Sequence, residues 1–173
     1  MKRMKANSCV LAVIFSFLIH PPIFGANMVL ESPAFEANQS IPIQYTCDGK
    51  DVSPPLKWGP EPVGTKSFAV SLTDPDAPKG TWVHWFVYNL PPGVLSAPEG
   101  MPQRDELFLG ERQGMNDFGN HGYGGPCPPE KEHRYFFRVY ALETRLDLEP
   151  DAKLADLEAA MEGHVIAQGE LMG

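Results

Sequence analysis

Short apolar runs broken by proline- and glycine-rich segments set the pattern of this chain. Residues 28–30, 41–46, 56–58, 67–73, 83–90 and 135–142 are each short, apolar or alternating, and flanked by turn formers, which predicts strands. The stretches Ser67-Phe68-Ala69-Val70-Ser71-Leu72 and 82–90 are apolar on both faces, so they predict central strands of a packed sheet sandwich. One helix is expected over 152–161, where Leu154, Leu157 and Met161 recur at three and four residues after Pro150-Asp151. Gly163 is placed to end that helix, and 164–167 reads as a last short strand. The chain's 18 prolines and 16 glycines are spread throughout, so no segment reads as a flexible linker. The expectation is an all-β antiparallel sandwich of two sheets with one short helix near the C-terminus.

The first 26 residues stand outside that pattern. Lys2, Arg3 and Lys5 precede an almost unbroken apolar stretch over 10–19, followed by Pro21, Pro22 and the small pair Gly25-Ala26. This is the order of a secretory signal peptide, too short in its apolar part for a permanent spanning helix. Cleavage is expected after Ala26 or, because Phe24 is bulky, after Gly25; a retained membrane anchor is the alternative. Cys9 precedes the apolar run, which argues against a lipoprotein. The domain reading is therefore a signal peptide over 1–26 and one domain over 27–173, in the periplasm or secreted, with no stable membrane insertion after cleavage.

Removing three cations and no acid takes the formal charge from −8 to −11. A chain that acidic repels nucleic acid at long range, so nucleic acid is not an expected partner and any bound anion must be held by local geometry. Two cysteines remain after the leader, Cys47 and Cys127. In an exported protein an even pair permits a disulfide, and two buried thiols are the alternative.

Candidate chemistry gathers in two proline-pinned runs: Asp74-Pro75-Asp76-Ala77-Pro78, with Trp82, His84 and Trp85 after it, and 122–129, with His133, Arg134 and Tyr135 after it. Each histidine falls at the start of a strand beside a loop. Imidazole nitrogens and the Tyr135 hydroxyl can donate to an anion, and Gly124-Gly125 can bring backbone N–H groups close to one. Asp74 and Asp76 would repel a phosphate unless they orient a histidine, pair with a ligand amine or hold a proton. A bland alternative has Asp74 satisfying turn N–H groups. No Gly-x-Ser-x-Gly elbow is present, and 59–66 fails as a phosphate loop because it is proline-rich and leads into a strand. Two histidines and a carboxylate suffice for a metal, but no tight His-x-His or His-x-x-x-His element exists, so no metal or other cofactor is expected.

Tyr45-Thr46-Cys47-Asp48-Gly49, Ser53-Pro54-Pro55-Leu56-x-Trp58, Asp74-Pro75-Asp76-Ala77-Pro78, His84-Trp85, Asn116-Asp117-Phe118-Gly119, 122–129 and His133-Arg134-Tyr135-Phe136-Phe137 occur in that order. In these pieces the chain resembles the phosphatidylethanolamine-binding protein family, in its bacterial and archaeal Raf-kinase-inhibitor-like branch. The resemblance implies a β-sandwich with a small anion pocket at one end. It places Asp74, Trp82, His84, Gly125, His133 and Tyr135 in that pocket, with Pro129 in its wall. It also implies binding of phosphate, phosphorylethanolamine or acetate-like anions without established catalysis. The eukaryotic branch closes its pocket with a C-terminal helix, for which no counterpart is expected after Leu171-Met172-Gly173.

The expected function is thus an exported, non-enzymatic binding protein for small phosphate- or carboxylate-bearing anions, phospholipid head groups among them. A rival is an inhibitor or interaction protein that engages a protease or host partner through the loops around the pocket. A phosphoester hydrolase with a histidine as acid/base ranks last, since no nucleophile or metal is evident. A homodimer is compatible with the sequence.

Overall fold

The computed structural model describes residues 26–173, so the expected leader lies outside the described residues apart from the backbone of Ala26. Two sheets face each other. The larger contains β1 (Ala26–Asn27), β9 (Val165–Met172), β8 (Phe136–Leu142), β4 (Ser67–Asp74), β5 (Trp82–Leu90) and β7 (Arg112–Gln113), in that spatial order. The smaller contains β2 (Val29–Glu31), β3 (Leu56–Gly59) and β6 (Ser96–Ala97). All pairings are antiparallel except the two-residue contact of β1 with β9. The fold is therefore a mostly antiparallel β-sandwich with a single α-helix among the described residues, α1 (Leu154–Met161).

The two apolar faces of β4 and β5 have different covers. Phe68, Val70, Leu72, Trp85 and Val87 join Phe137 and Val139 of β8 against Leu30, Leu56 and Trp58 of the small sheet. Ala69, Phe86 and Tyr88 instead pack under Leu154, Leu157 and Met161 of α1, with Leu142 and Leu146. A doubly apolar strand in this molecule thus has a sheet on one side and a helix on the other. The helix's first turn is fastened by the Asp156 carboxylate, which accepts the Lys153 N–H at 2.8 Å. Gly163, at φ +78°, ends it in the left-handed region that glycine occupies without strain.

Three differences from the sequence reading have local causes. Residues 41–46 do not form a strand: Ile43–Tyr45 is a 3-10 turn, with Tyr45 N–H bonded to Pro42 O and Thr46 N–H to Ile43 O. Tyr45 turns inward, but Ile43 is 67% exposed, so the apolar alternation there does not mark a buried face. β9 runs to Met172 because Ala167 and Leu171 point into the core while Gln168 and Glu170 face outward, an alternation muted by Gly169. β6 and β7 are two-residue strands, too short to carry any periodic pattern.

Candidate functional site

A cavity of about 180 Å³ opens where β4 ends, β5 begins and the chain approaches β8; its walls include Asp74, Trp82, His84, Phe118, Cys127, Pro129, His133 and Tyr135. Its polar members are placed by backbone that is itself pinned. Asp74 Oδ1 accepts the Asp76 N–H at 2.8 Å, closing the Asp-Pro-Asp turn. Asp76 then takes Arg134, accepting from Nε at 2.9 Å, from Nη2 at 2.7 Å and from the backbone N–H at 3.0 Å. That clamp draws the segment carrying His133 onto the turn after β4, and the guanidinium holds the Asp76 carboxyl well below the usual carboxylate range.

The second oxygen of Asp74 receives Nδ1 of His133 at 2.7 Å, in a pair that is almost wholly buried. Asp74 therefore serves two of the roles open to it: it satisfies the turn and it orients a histidine. His84 is fixed differently. Its Nδ1 lies 2.7 Å from Gly124 O, and the Gly124 N–H returns a bond to His84 O at 2.9 Å. A carbonyl only accepts, so Nδ1 carries the hydrogen in each tautomer compatible with this bond. Burial pushes the His84 pKa below that of a free imidazole, against the opposing pull of the Gly124 carbonyl and the Asp74 charge. Neither Nε2 has a side-chain partner, and both rings border the cavity; the Gly125 backbone beside His84 adds to the pull toward a charged ring.

Two further donors have no partner. The Trp82 Nε1–H and the Tyr135 O–H are buried and donate to no described residue, while the Cys127 backbone N–H faces the phenol oxygen. Burial, followed by the Asp74 charge, pushes the Tyr135 pKa well above its usual value, so the hydroxyl keeps its proton near neutrality. The His84 ring meets Tyr135 edge-on at 5.3 Å between centroids, and the rings of Phe118 and Trp82 meet at 5.4 Å. The result is an apolar-walled recess that offers two fixed donors and two imidazole edges.

Six of the residues singled out in the sequence line this recess: Asp74, Trp82, His84, Pro129, His133 and Tyr135. Gly125 does not. Its N–H is already donated to Asp51 Oδ1 at 2.6 Å, and a Cβ there would meet Tyr45 O at 2.6 Å. Glycine is needed at 125 for close packing against the 45–51 loop, and its amide is not free for a ligand. The same two loops are joined by the Cys47–Cys127 disulfide, by Cys47 N–H on Pro126 O at 3.1 Å and by the Tyr123 hydroxyl on Tyr45 O at 2.7 Å. Ala77, Pro78, Phe118 and Cys127 complete the wall and were not expected there. Phe118 is the informative omission: Asn116 holds its loop by accepting the Phe118 and Asn120 N–H groups, and Gly124 leaves room for its ring. No group of three or more His, Cys, Asp or Glu among the described residues has metal-holding geometry.

Residues 31–173 match the family model for phosphatidylethanolamine-binding protein. A UPF0098 protein of Methanothermobacter thermautotrophicus is 49% identical over 146 residues, covering 84% of this chain and 97% of its own. A UPF0098 protein of Aquifex aeolicus is 47% identical over 152 residues, with 86% and 88% covered. Among solved structures, a phosphatidylethanolamine-binding protein homologue from Chlamydia trachomatis superposes with a TM-score of 0.78 at 42% identity, over 86% of this chain and 97% of that one. Escherichia coli YbcL, described as a member of the mammalian PEBP family, gives 0.78 at 35% identity, over 85% and 96%. Neither the family description nor these names include an enzymatic activity. On its sequence, its relatives and its sandwich alike, the chain belongs to the phosphatidylethanolamine-binding protein family.

Proposed function

We propose that this protein is an exported, non-enzymatic binding protein for small anions bearing a phosphate or carboxylate group, phospholipid head groups included. One observation carries the reading: two buried donors without partners, Trp82 Nε1–H and Tyr135 O–H, line the same small cavity as the Nε2 edges of His84 and His133. An unpaired buried donor costs roughly 1–3 kcal/mol, and an anion oxygen in the recess would recover that. The family's name points to the same head-group chemistry. Catalysis has little support in the wall: Cys127 is disulfide-bonded, Asp74 is committed to His133 and the Asp76 N–H, and no serine or threonine borders the cavity. Export is supported by the leader-like residues 1–26 and fits a disulfide between Cys47 and Cys127.

Calorimetric titration with phosphorylethanolamine tests the reading. Saturable binding at one site is expected, and His133→Ala should weaken it about ten-fold, the loss of one charge-assisted hydrogen bond. Unchanged affinity in both His84→Ala and His133→Ala would make the histidines structural and remove the pocket from the account. Amino-terminal sequencing of exported material should begin at Ala26 or Asn27; an intact Met1 on soluble protein would contradict export.

A further inference from the structure

The recess lacks what an anion site usually has. No lysine or arginine lines it, and its one permanent charge, the Asp74 carboxylate, is paired with the His133 imidazole. The nearby cation, Arg134, is spent on Asp76 outside the cavity. A fully ionised phosphate or sulfate would therefore enter a negatively charged, poorly solvated space in an acidic protein. The hydrogen-bond inventory repeats the difficulty. Because the Gly124 carbonyl claims the Nδ1–H of His84, the neutral ring presents an acceptor lone pair at Nε2, which repels an anion oxygen. The mismatch disappears if a proton occupies the space between Nε2 and that oxygen.

Resting on the anion-site reading above, we infer that this pocket binds its anion together with a proton held in a bond between His84 Nε2 and the ligand. The site would thus recognise a phosphomonoester in its protonated, singly charged form, or take up a proton itself when the anion brings none. The groups that face His84 are of both kinds, and an arriving anion adds to those that favour a charged ring. Asp74 at the end of β4 and Asp117 in the loop after β7 both favour a positive ring, and the Gly124 carbonyl accepts Nδ1–H in either state. From the β8 side come Tyr135, a donor near neutrality, and His133, whose Nδ1 is bound to Asp74. In the empty site burial opposes a charged ring, so protonation waits for the anion.

Proton uptake is read directly by calorimetry of the native protein at one pH in buffers of different ionisation heat. Sulfate serves as the first probe, because it carries no proton near neutrality, and phosphorylethanolamine as the second. About one proton should be absorbed per sulfate bound, and sulfate affinity should rise by up to about ten-fold per pH unit as pH falls. Phosphorylethanolamine should show smaller uptake once the pH is low enough for the ligand to arrive protonated, near its second ionisation at about pH 6. His84→Gln, an uncharged ring substitute with its own N–H donor, should bind sulfate with uptake abolished and the pH profile flattened. Binding of sulfate by the native protein with no proton uptake overturns the inference and leaves the anion site standing. Uptake that persists undiminished in His84→Gln overturns the assignment to His84. Binding of neither probe at any pH sinks the anion reading and this inference with it.

Discussion

The far end of β5, with its neighbour β7, and the end where β4 and β5 meet the cavity both hold buried polar side chains, yet they treat them in opposite ways. At the structural end, Asn89 donates to Leu146 O and accepts the Leu146 N–H, each at 2.8 Å. Gln113 accepts the Trp85 indole N–H and donates to Pro102 O and Arg104 O. Both amides have partners at nitrogen and at oxygen, and each ties a strand of the large sheet to a neighbouring loop. At the cavity, Asp74 and His84 are as inaccessible, but the donors of Trp82 and Tyr135 are left open. Burial alone does not separate a core from a site; incomplete hydrogen bonding does so only in company. Trp58 Nε1 and Tyr88 Oη are also unpartnered, but neither borders the recess that holds the two imidazoles.

Four experiments sharpen or break that contrast, the largest effect first. Replacing both cysteines with serine should cost about 4 kcal/mol of stability by the loop-entropy model, for a closed loop spanning 80 positions. It should also weaken anion binding, because Cys127 is part of the wall. Urea unfolding together with titration checks both; a loss of stability with affinity unchanged would show that the loop clamp does not shape the recess. Leu157→Ala, under the sheet's outer face, should cost about 3 kcal/mol through an unfilled cavity, with anion affinity intact. A matching loss of affinity would mean that the two regions are not independent.

Asn89→Ala should cost about 2 kcal/mol, since the backbone N–H and C=O of Leu146 both lose their partner and alanine tolerates the positive φ of 61° poorly. Chemical denaturation measures it; a negligible change would contradict the claim that the structural end depends on its partnered amides. The smallest effect is in pH. His84 is held below the free histidine pKa by burial, so the folded state binds fewer protons than the unfolded state between the two values. The resulting stability is present above about pH 6.5 and is lost as pH falls below it. Melting curves of native protein and His84→Gln should diverge less at pH 5.5 than at pH 8; parallel curves would remove His84 as the cause.

Where the molecule repeats a pattern, the sequence discloses it. β4, β5 and β8 are visible as apolar runs, and α1 as Leu154, Leu157 and Met161 at helical spacing. The histidines stand out because each sits where an apolar run meets a proline-rich loop. What stays hidden depends on one partner chosen far along the chain. Gly125 reads as an open amide until Asp51, 74 positions away, is found bonded to it. Phe118 reads as an ordinary aromatic until its loop folds back beside Trp82 and His84. The turn at Ile43–Tyr45 copies a strand's alternation, and only the exposure of Ile43 gives it away.

The central claim, that the open donors at the cavity exist for an anion, is tested most directly by the indole N–H resonances of the three tryptophans. Trp85 is bonded to Gln113, Trp58 is unpartnered but does not line the recess, and Trp82 lines it. On titration with phosphorylethanolamine the Trp82 N–H should move downfield to a saturating value, with Trp85 and Trp58 serving as still controls. A Trp82 resonance that stays in place while the ligand binds, or three resonances that move alike, would contradict the account.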